Sequence, residues 1–144
     1  ELPRNHREHG MLFVHGSVRN PLSEYVFPED VYNSRKLEKI FAMIQRYCFQ
    51  GHTHVAGVFT AEGKFHRADE IGCGHNLGPS KAMINVGSVG QPRDGDPRAA
   101  YVIFDDEGHG FTKNANRITG WNAVLSFLDT HIKCGNSLVG VGPG

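Results

Sequence analysis

Tyr47-Cys48-Phe49-Gln50-Gly51-His52-Thr53-His54 is the stretch on which the fold turns. A short apolar run halts at a glycine, and two histidines follow within three positions. Such a run, bounded by a turn signal, reads as a buried strand. Imidazoles at its carboxyl end suit Zn, Fe, Mn, Co or Ni. The glycine lets the backbone approach an ion closely. At a strand end that runs into a loop, both rings can turn toward one point. Alone, a His-x-His pair also reads as two solvated loop histidines.

The same design stands upstream, where the run Met11–Val14 ends in His15-Gly16. Between the two runs, Asn20-Pro21 marks a loop. Pro28, Glu29 and Asp30 suit the positive end of a helix. Leu37, Ile40, Phe41, Ile44 and Tyr47 then fall at helical spacing, with Arg35, Lys36, Glu38 and Lys39 between them. This predicts an amphipathic helix of about four turns. A helix joining two strands implies a right-handed parallel crossover. Sites in open α/β sheets collect at the carboxyl ends of strands, so His15, His52 and His54 are expected to converge as a metal site.

Downstream, Val55–Thr60 and Lys64–Ala68 flank Ala61-Glu62-Gly63, a hairpin signal. Gly72–Pro79 reads as a loop and Ala82–Val86 as a strand leading into a sharp turn at Gly87-Ser88-Val89-Gly90-Gln91-Pro92. Ala99–Phe104 reads as a strand that stops at Asp105-Asp106-Glu107-Gly108. Trp121, Val124, Leu125, Leu128 and Ile132 predict a second helix with Gly135 as its stop, followed by a Gly-rich end. The expected order is β-α-β-β-β-β-β-α.

The 144 residues carry 15 Lys+Arg and 15 Asp+Glu, so the formal charge is zero. That balance argues against a specific nucleic-acid or membrane-surface binder, which needs surplus cations. With 39% hydrophobic residues the chain can build a core, and 18 Gly with 7 Pro make it turn-rich. No apolar run reaches a membrane span, and no signal peptide opens the chain. Cys48, Cys73 and Cys134 form no C-x-x-C pair, which points to reduced thiols in a cytoplasmic protein rather than a zinc knuckle or disulfide framework. Of the 9 His, the remaining six (His6, His9, His66, His75, His109 and His131) read as structural or solvated.

Phe13-Val14-His15-Gly16-Ser17, Gly51-His52-Thr53-His54 and Ile84-Asn85-Val86-Gly87-Ser88-Val89-Gly90-Gln91-Pro92-Arg93, in that order, resemble the C-terminal half of the calcineurin-like metallophosphoesterases, in the small bacterial phosphodiesterase and phosphatase-like branch. The resemblance spans about residues 1–110. It implies an α/β fold, part of a four-layer α-β-β-α sandwich with mixed sheets. It also implies two divalent ions (Mn, Fe, Ni, Co or Zn) that clamp a phosphoester and activate a water for in-line attack on phosphorus. By resemblance His15 and His52 hold one ion and His54 the other, while Asn85 and Gly87-Ser88 form a turn packed beside them.

The family's Asp-x-His, Gly-Asp and Gly-Asn-His motifs are absent from this sequence, so no catalytic residue is identified in the chain. Val18 and Ala56 stand where proline is expected. Residues 1–111 are therefore expected to be the C-terminal half of a metallophosphoesterase domain, with its N-terminal half missing, and residues 112–144 a divergent helical tail. Arg19 is the candidate for holding substrate phosphate. Asp94 and Asp96 lack the other ligands of a calcium loop. The leading expectation is a metal-dependent phosphoester hydrolase, inactive as this chain alone. The alternative is a non-catalytic module binding at most one metal through His. An uncovered sheet face or edge is expected to expose apolar surface or to drive dimerisation.

Overall fold

Side chains in the short apolar runs alternate between two faces, and each face finds its own core. The computed structural model describes residues 3–72, 74–104 and 117–119. Strands β1 (Asn5–Glu8) and β2 (Met11–Val14) form an antiparallel pair. A 3-10 turn (Pro28–Tyr32) and helix α1 (Ser34–Met43) lead to β3 (Tyr47–Gln50). There follow β4 (Gly57–Thr60), β5 (Phe65–Arg67), β6 (Gly74–Asn76), β7 (Ala82–Asn85), β8 (Ile103–Phe104) and β9 (Arg117–Thr119). Six strands make one mixed sheet in the order β1-β2-β3-β7-β4-β5. The class is α/β. Strands β2, β3 and β7 run parallel, with Leu12 beside Cys48 and Phe49 beside Ile84. The outer pairs are antiparallel.

Leu12, Cys48, Phe59 and Met83 face the α1 side and pack with Leu37, Ile40, Phe41 and Ile44. Met11, Tyr47, Phe49, Val58, Ala82 and Ile84 face the other way and pack with Ala68 and Leu77. A one-residue slip would exchange the two cores, so the register is strongly specified. Burying each large side chain contributes about 1.5–3 kcal/mol.

Helix α1 is shorter than the spacing predicted. Asn33 interrupts the helical path, and its side chain accepts the Lys36 N–H at 3.1 Å to cap a new start. Lys36 Nζ meets Asp30 at 2.6 Å and donates to the Tyr25 carbonyl at 2.8 Å, fastening the 3-10 turn to the helix. Tyr47, at helical spacing in the sequence, lies in β3 between Met11 and Ala82. Hydrogen bonding to strands on both sides outweighs one more helical turn.

Three further expectations need amending. Asn5–Glu8, to which the expected order gives no element, is β1, which is exposed throughout and paired only on its β2 side. Gly74–Asn76, read as loop, is β6, the edge of an antiparallel β6-β9-β8 sheet that reaches residues 117–119 of the expected tail. Of the Ala99–Phe104 run, only Ile103–Phe104 is strand. The expected helix at Trp121–Ile132, the turn at 105–108, the boundary at 111, Cys73, Cys134, His109 and His131 lie outside the described residues. Among the described residues no helix is long and apolar enough to cross a membrane.

Phe59 is 0% exposed and Tyr32 is 90% exposed. Phe59→Ala is expected to cost about 3–5 kcal/mol, and Tyr32→Ala less than about 0.5 kcal/mol. Denaturant midpoints at constant m-value check both.

Candidate functional site

Strands β2, β3 and β7 end at one edge of the sheet, and backbone hydrogen bonds sew their ends together. The Gly51 N–H donates to the His15 carbonyl at 3.1 Å, and the Val86 N–H to the Gln50 carbonyl at 2.8 Å. Beyond this edge the chain leaves extended geometry. His52 and His54 have φ of 62° and 61°, both left-handed. For a residue with a Cβ this costs roughly 1–2 kcal/mol, and it persists only where the surroundings enforce it.

Asn85 is one of those surroundings. Its buried side-chain N–H2 donates to the Gly51 carbonyl at 2.9 Å and the Thr53 hydroxyl at 2.6 Å. Its oxygen accepts the Gly87 N–H at 3.0 Å. One side chain thus joins the histidine turn to the loop after β7. Gly87 has φ of 78°, and a Cβ there would lie 2.5 Å from the Ala100 Cβ, so this position requires glycine. Gly16 is equally constrained, since a Cβ would lie 2.6 Å from the Asn20 carbonyl oxygen.

Residues i and i+2 of a strand share a face, but the left-handed steps separate the two imidazoles. His52 lies edge-on to His15, with ring centroids 4.5 Å apart and planes at 61°. Tyr25 stacks on its face at 3.8 Å. The His52 Nε2 is buried and has no hydrogen-bond partner among the described residues. A buried polar atom left unpaired costs about 1–3 kcal/mol. His54 instead places Nδ1 at 2.6 Å from the Gln91 carbonyl. A proton donated there leaves Nε2 as the free lone pair, the outer contact that orients metal-binding histidines. Gln91 is placed in turn by the Ser88 hydroxyl, which accepts its N–H at 2.9 Å. His15, His52 and His54 line one cleft of about 390 Å³, with Phe13, Phe49 and Ser88.

Burial pushes the His52 pKa down, and His15, His54 and Arg93 push it the same way, against a backbone acceptor at Ser23. Its neutral, lone-pair-bearing form is therefore favoured. Arg19 is already engaged. Its Nε donates to Glu24 at 3.1 Å, a second guanidinium N–H contacts the same carboxylate, and Ser17 donates to it as well. The Arg19 contact holds the Glu24 carboxyl below its usual range. A substrate phosphate would have to compete with that carboxylate for Arg19.

The donors present fit part of a metal centre. The His15–His52 pair and the orphaned His52 Nε2 supply imidazole, the borderline ligand that Zn, Mn, Fe, Co and Ni share. Among the described residues, however, no group of three His, Cys, Asp or Glu side chains converges closely enough to hold an ion. His6 and His9 pair with Glu8 on the surface. His66 lies on β5 and His75 on β6, where burial and His66 lower the His75 pKa.

Tyr25, the Asn85 latch and Gln50 escaped the sequence reading as site residues. Gln50 is 2% exposed and neither atom of its amide has a partner among the described residues. The signal available was a Gln and an Asn, each closing an apolar strand just before a glycine turn or near one.

No protein-family model matches the chain. Over 107 residues, 67% of the chain, it is 36% identical to an uncharacterized protein of Methanocaldococcus jannaschii and covers 37% of that protein. It superposes on a metallophosphoesterase from Sphaerobacter thermophilus with a TM-score of 0.63 and 32% identity, matching 83% of this chain and 46% of that one. The fold matches a metallophosphoesterase fold. The chain spans less than half the length of either relative.

Asn85→Ala is expected to lower stability by about 1–3 kcal/mol and to shift the His52 and His54 backbone resonances together. Folded His52 should titrate below its ordinary value of 6.5. The unfolded chain then binds the extra proton first, so stability is retained above about 6.5 and falls as pH drops below it. NMR titration of the ring checks the midpoint, and His52→Gln should flatten the acid limb of the stability curve.

Proposed function

We propose that the chain supplies the histidine side of a metal-dependent phosphoester hydrolase. The single observation that carries this reading is the His52 Nε2, buried without a partner among the described residues, on a ring edge-on to His15 where parallel strands end. The likeness to the Sphaerobacter enzyme supports it. His15 and His52 would hold one divalent ion, manganese among the expected metals, and His54 a second. When bound, the ions would supply positive charge to a phosphoryl group and lower the pKa of a water.

The chain's own residues orient and shield. The Gln91 carbonyl sets the His54 tautomer, and Asn85 holds the turn so that both rings are placed before metal arrives. Phe13 and Phe49, stacked at 5.1 Å, wall the cleft against water. Hydrolysis by two ions also calls for a bridging carboxylate, and among the described residues that line the cleft none carries one. Turnover is accordingly assigned to this chain together with carboxylates from another segment or partner chain. A reduced, cytoplasmic setting belongs to the same proposal. Burial pushes the free Cys48 thiol up to about 12, which keeps it inert. The exposed β1 edge offers a surface for a second copy or for such a partner. Among the described residues no three ligands gather, which favours a second reading, a non-catalytic module that binds at most one ion.

Manganese at a hundredfold over its Kd would add about 2.7 kcal/mol to folding, a Tm rise of roughly 5–10 °C for a domain of this size. The rise should vanish in His15→Ala and His52→Ala. Residues 1–144 alone should leave 4-nitrophenyl phosphate intact with manganese present. Fusion to a segment bearing the carboxylate motifs should confer turnover that His54→Ala abolishes. A metal-bound fusion that stays inactive favours the second reading, and no metal-dependent rise in Tm rejects both.

A further inference from the structure

Two cavities flank the histidine turn. One is the cleft lined by His15, His52 and His54. The other, about 540 Å³, is lined by Phe27, Tyr32, Thr53, Val55, Phe65 and Arg93 among others. Thr53, which lies between His52 and His54 in the chain, forms part of its wall. Its volume is that of a small-ligand site. We propose that this second cavity receives the leaving group of a phosphoester and selects a flat aromatic one. The substrate class rests on the hydrolase reading above, whereas the preference for an aromatic anion rests on the cavity alone.

Three observations carry it. First, aromatic rings run without a break from the histidine site toward this cavity. Tyr25 stacks on His52 at 3.8 Å and on Phe27 at 5.4 Å with planes 3° apart. A stack that ends on an open face invites one more ring, and stacked aromatic pairs add to simple area burial. Second, the rim displays aromatics that the core does not use. Tyr32 is 90% exposed and Phe27 43% exposed. Both belong to the segment that Asp30 and Lys36 fasten in place, so the rings are presented by a braced turn.

Third, the cavity holds an uncommitted cation. Arg19, Arg67 and Arg98 each face a carboxylate, on Glu24, Asp69 and Asp96 respectively. Arg93 forms no ion pair among the described residues, and its charge reaches His52. Its planar fork matches the oxygens of a phosphate. Two acidic residues of the same wall are fixed in place by backbone amides. Glu70 accepts the Arg67 backbone N–H at 3.0 Å, and Asp94 accepts the Asp96 backbone N–H at 3.1 Å. Glu29 is exposed on the 3-10 turn, where water and salt screen it. An anion near Arg93, with a ring laid toward Phe27 and Tyr32, satisfies both halves of the cavity.

The test is binding, without added metal, of phenyl phosphate, methyl phosphate and inorganic phosphate, followed by NMR titration of the folded chain. Phenyl phosphate should bind about fivefold or more tightly than methyl phosphate. Tyr32→Ala and Phe27→Ala should reduce that preference to less than about twofold while leaving methyl phosphate affinity unchanged, the signature of lost stacking. Arg93→Ala should weaken both esters about tenfold, with Arg93→Lys restoring part of the loss. Equal affinity for the two esters, or an aryl preference that survives both aromatic substitutions, overturns the proposal. Because no metal is added, failure of the hydrolase reading leaves these ratios in place. Failure of the ratios, in turn, leaves manganese binding at His15 and His52 in place.

Discussion

The Asn85 side chain reaches across from β7 to the Gly51 carbonyl and the Thr53 hydroxyl, and with its oxygen it takes up the Gly87 N–H. Everything specific about the site depends on that bridge. The turn it clamps puts two non-glycine residues in left-handed geometry. Without fixed partners such a turn would relax to extended backbone, and His52 and His54 would share one face as strand residues do. The bridge converts a strand end into a platform with two differently aimed imidazoles. Asn85 is buried, so its hydrogen bonds are made away from competing water.

The platform needs a firm base, and the sheet supplies it. β3 lies between β2 and β7 with parallel ladders on both sides, so the ends that carry His15, Gly51 and Asn85 are held level. Alternate side chains lock this register from above and below. Slipping β3 by one residue would carry Cys48 out of the α1 core and Phe49 into it. The loop after β2 is just as tightly wound. Gly16 donates to Pro21, and Ser17 both caps the Arg19 and Asn20 amides and donates to Glu24. Tyr25 is thereby delivered onto the face of His52. The site is assembled largely before any ligand arrives, which reduces the cost of binding.

Much of this was legible in the sequence. The apolar runs 11–14, 47–50 and 82–85 announced strands, because each is short, apolar and closed by a polar residue or glycine. The helical crossover announced the first two as parallel; that β7 joins them in parallel was not read. The hairpin around Ala61-Glu62-Gly63 was equally plain. Helix α1 was overextended because Ile44 and Tyr47 continue the helical period by coincidence, while pairing across β3 decides their state. β1 was missed because Asn5–Glu8 is polar throughout, and a one-sided edge strand carries no hydrophobic alternation. Of the site, the gathering of His15, His52 and His54 along one cleft was readable from their placement at strand ends. The direction of each ring was not, since it depends on φ at His52 and His54, which a sequence pattern for L-residues does not encode. Tyr25 was hidden for a related reason, and Asn85 was read only as part of a turn beside the site, as the contacts that give both their roles join segments distant in the chain.

The central claim is that the clamped turn presents His52 beside His15 as a metal site, and paramagnetic broadening by manganese tests it most directly. The ion should broaden the ring signals of His15 and His52 at the lowest concentrations, before those of His6 and His9 beside Glu8, and Asn85→Ala should abolish that order. Broadening that begins at His6 and His9, or that is unchanged by Asn85→Ala, would contradict the claim.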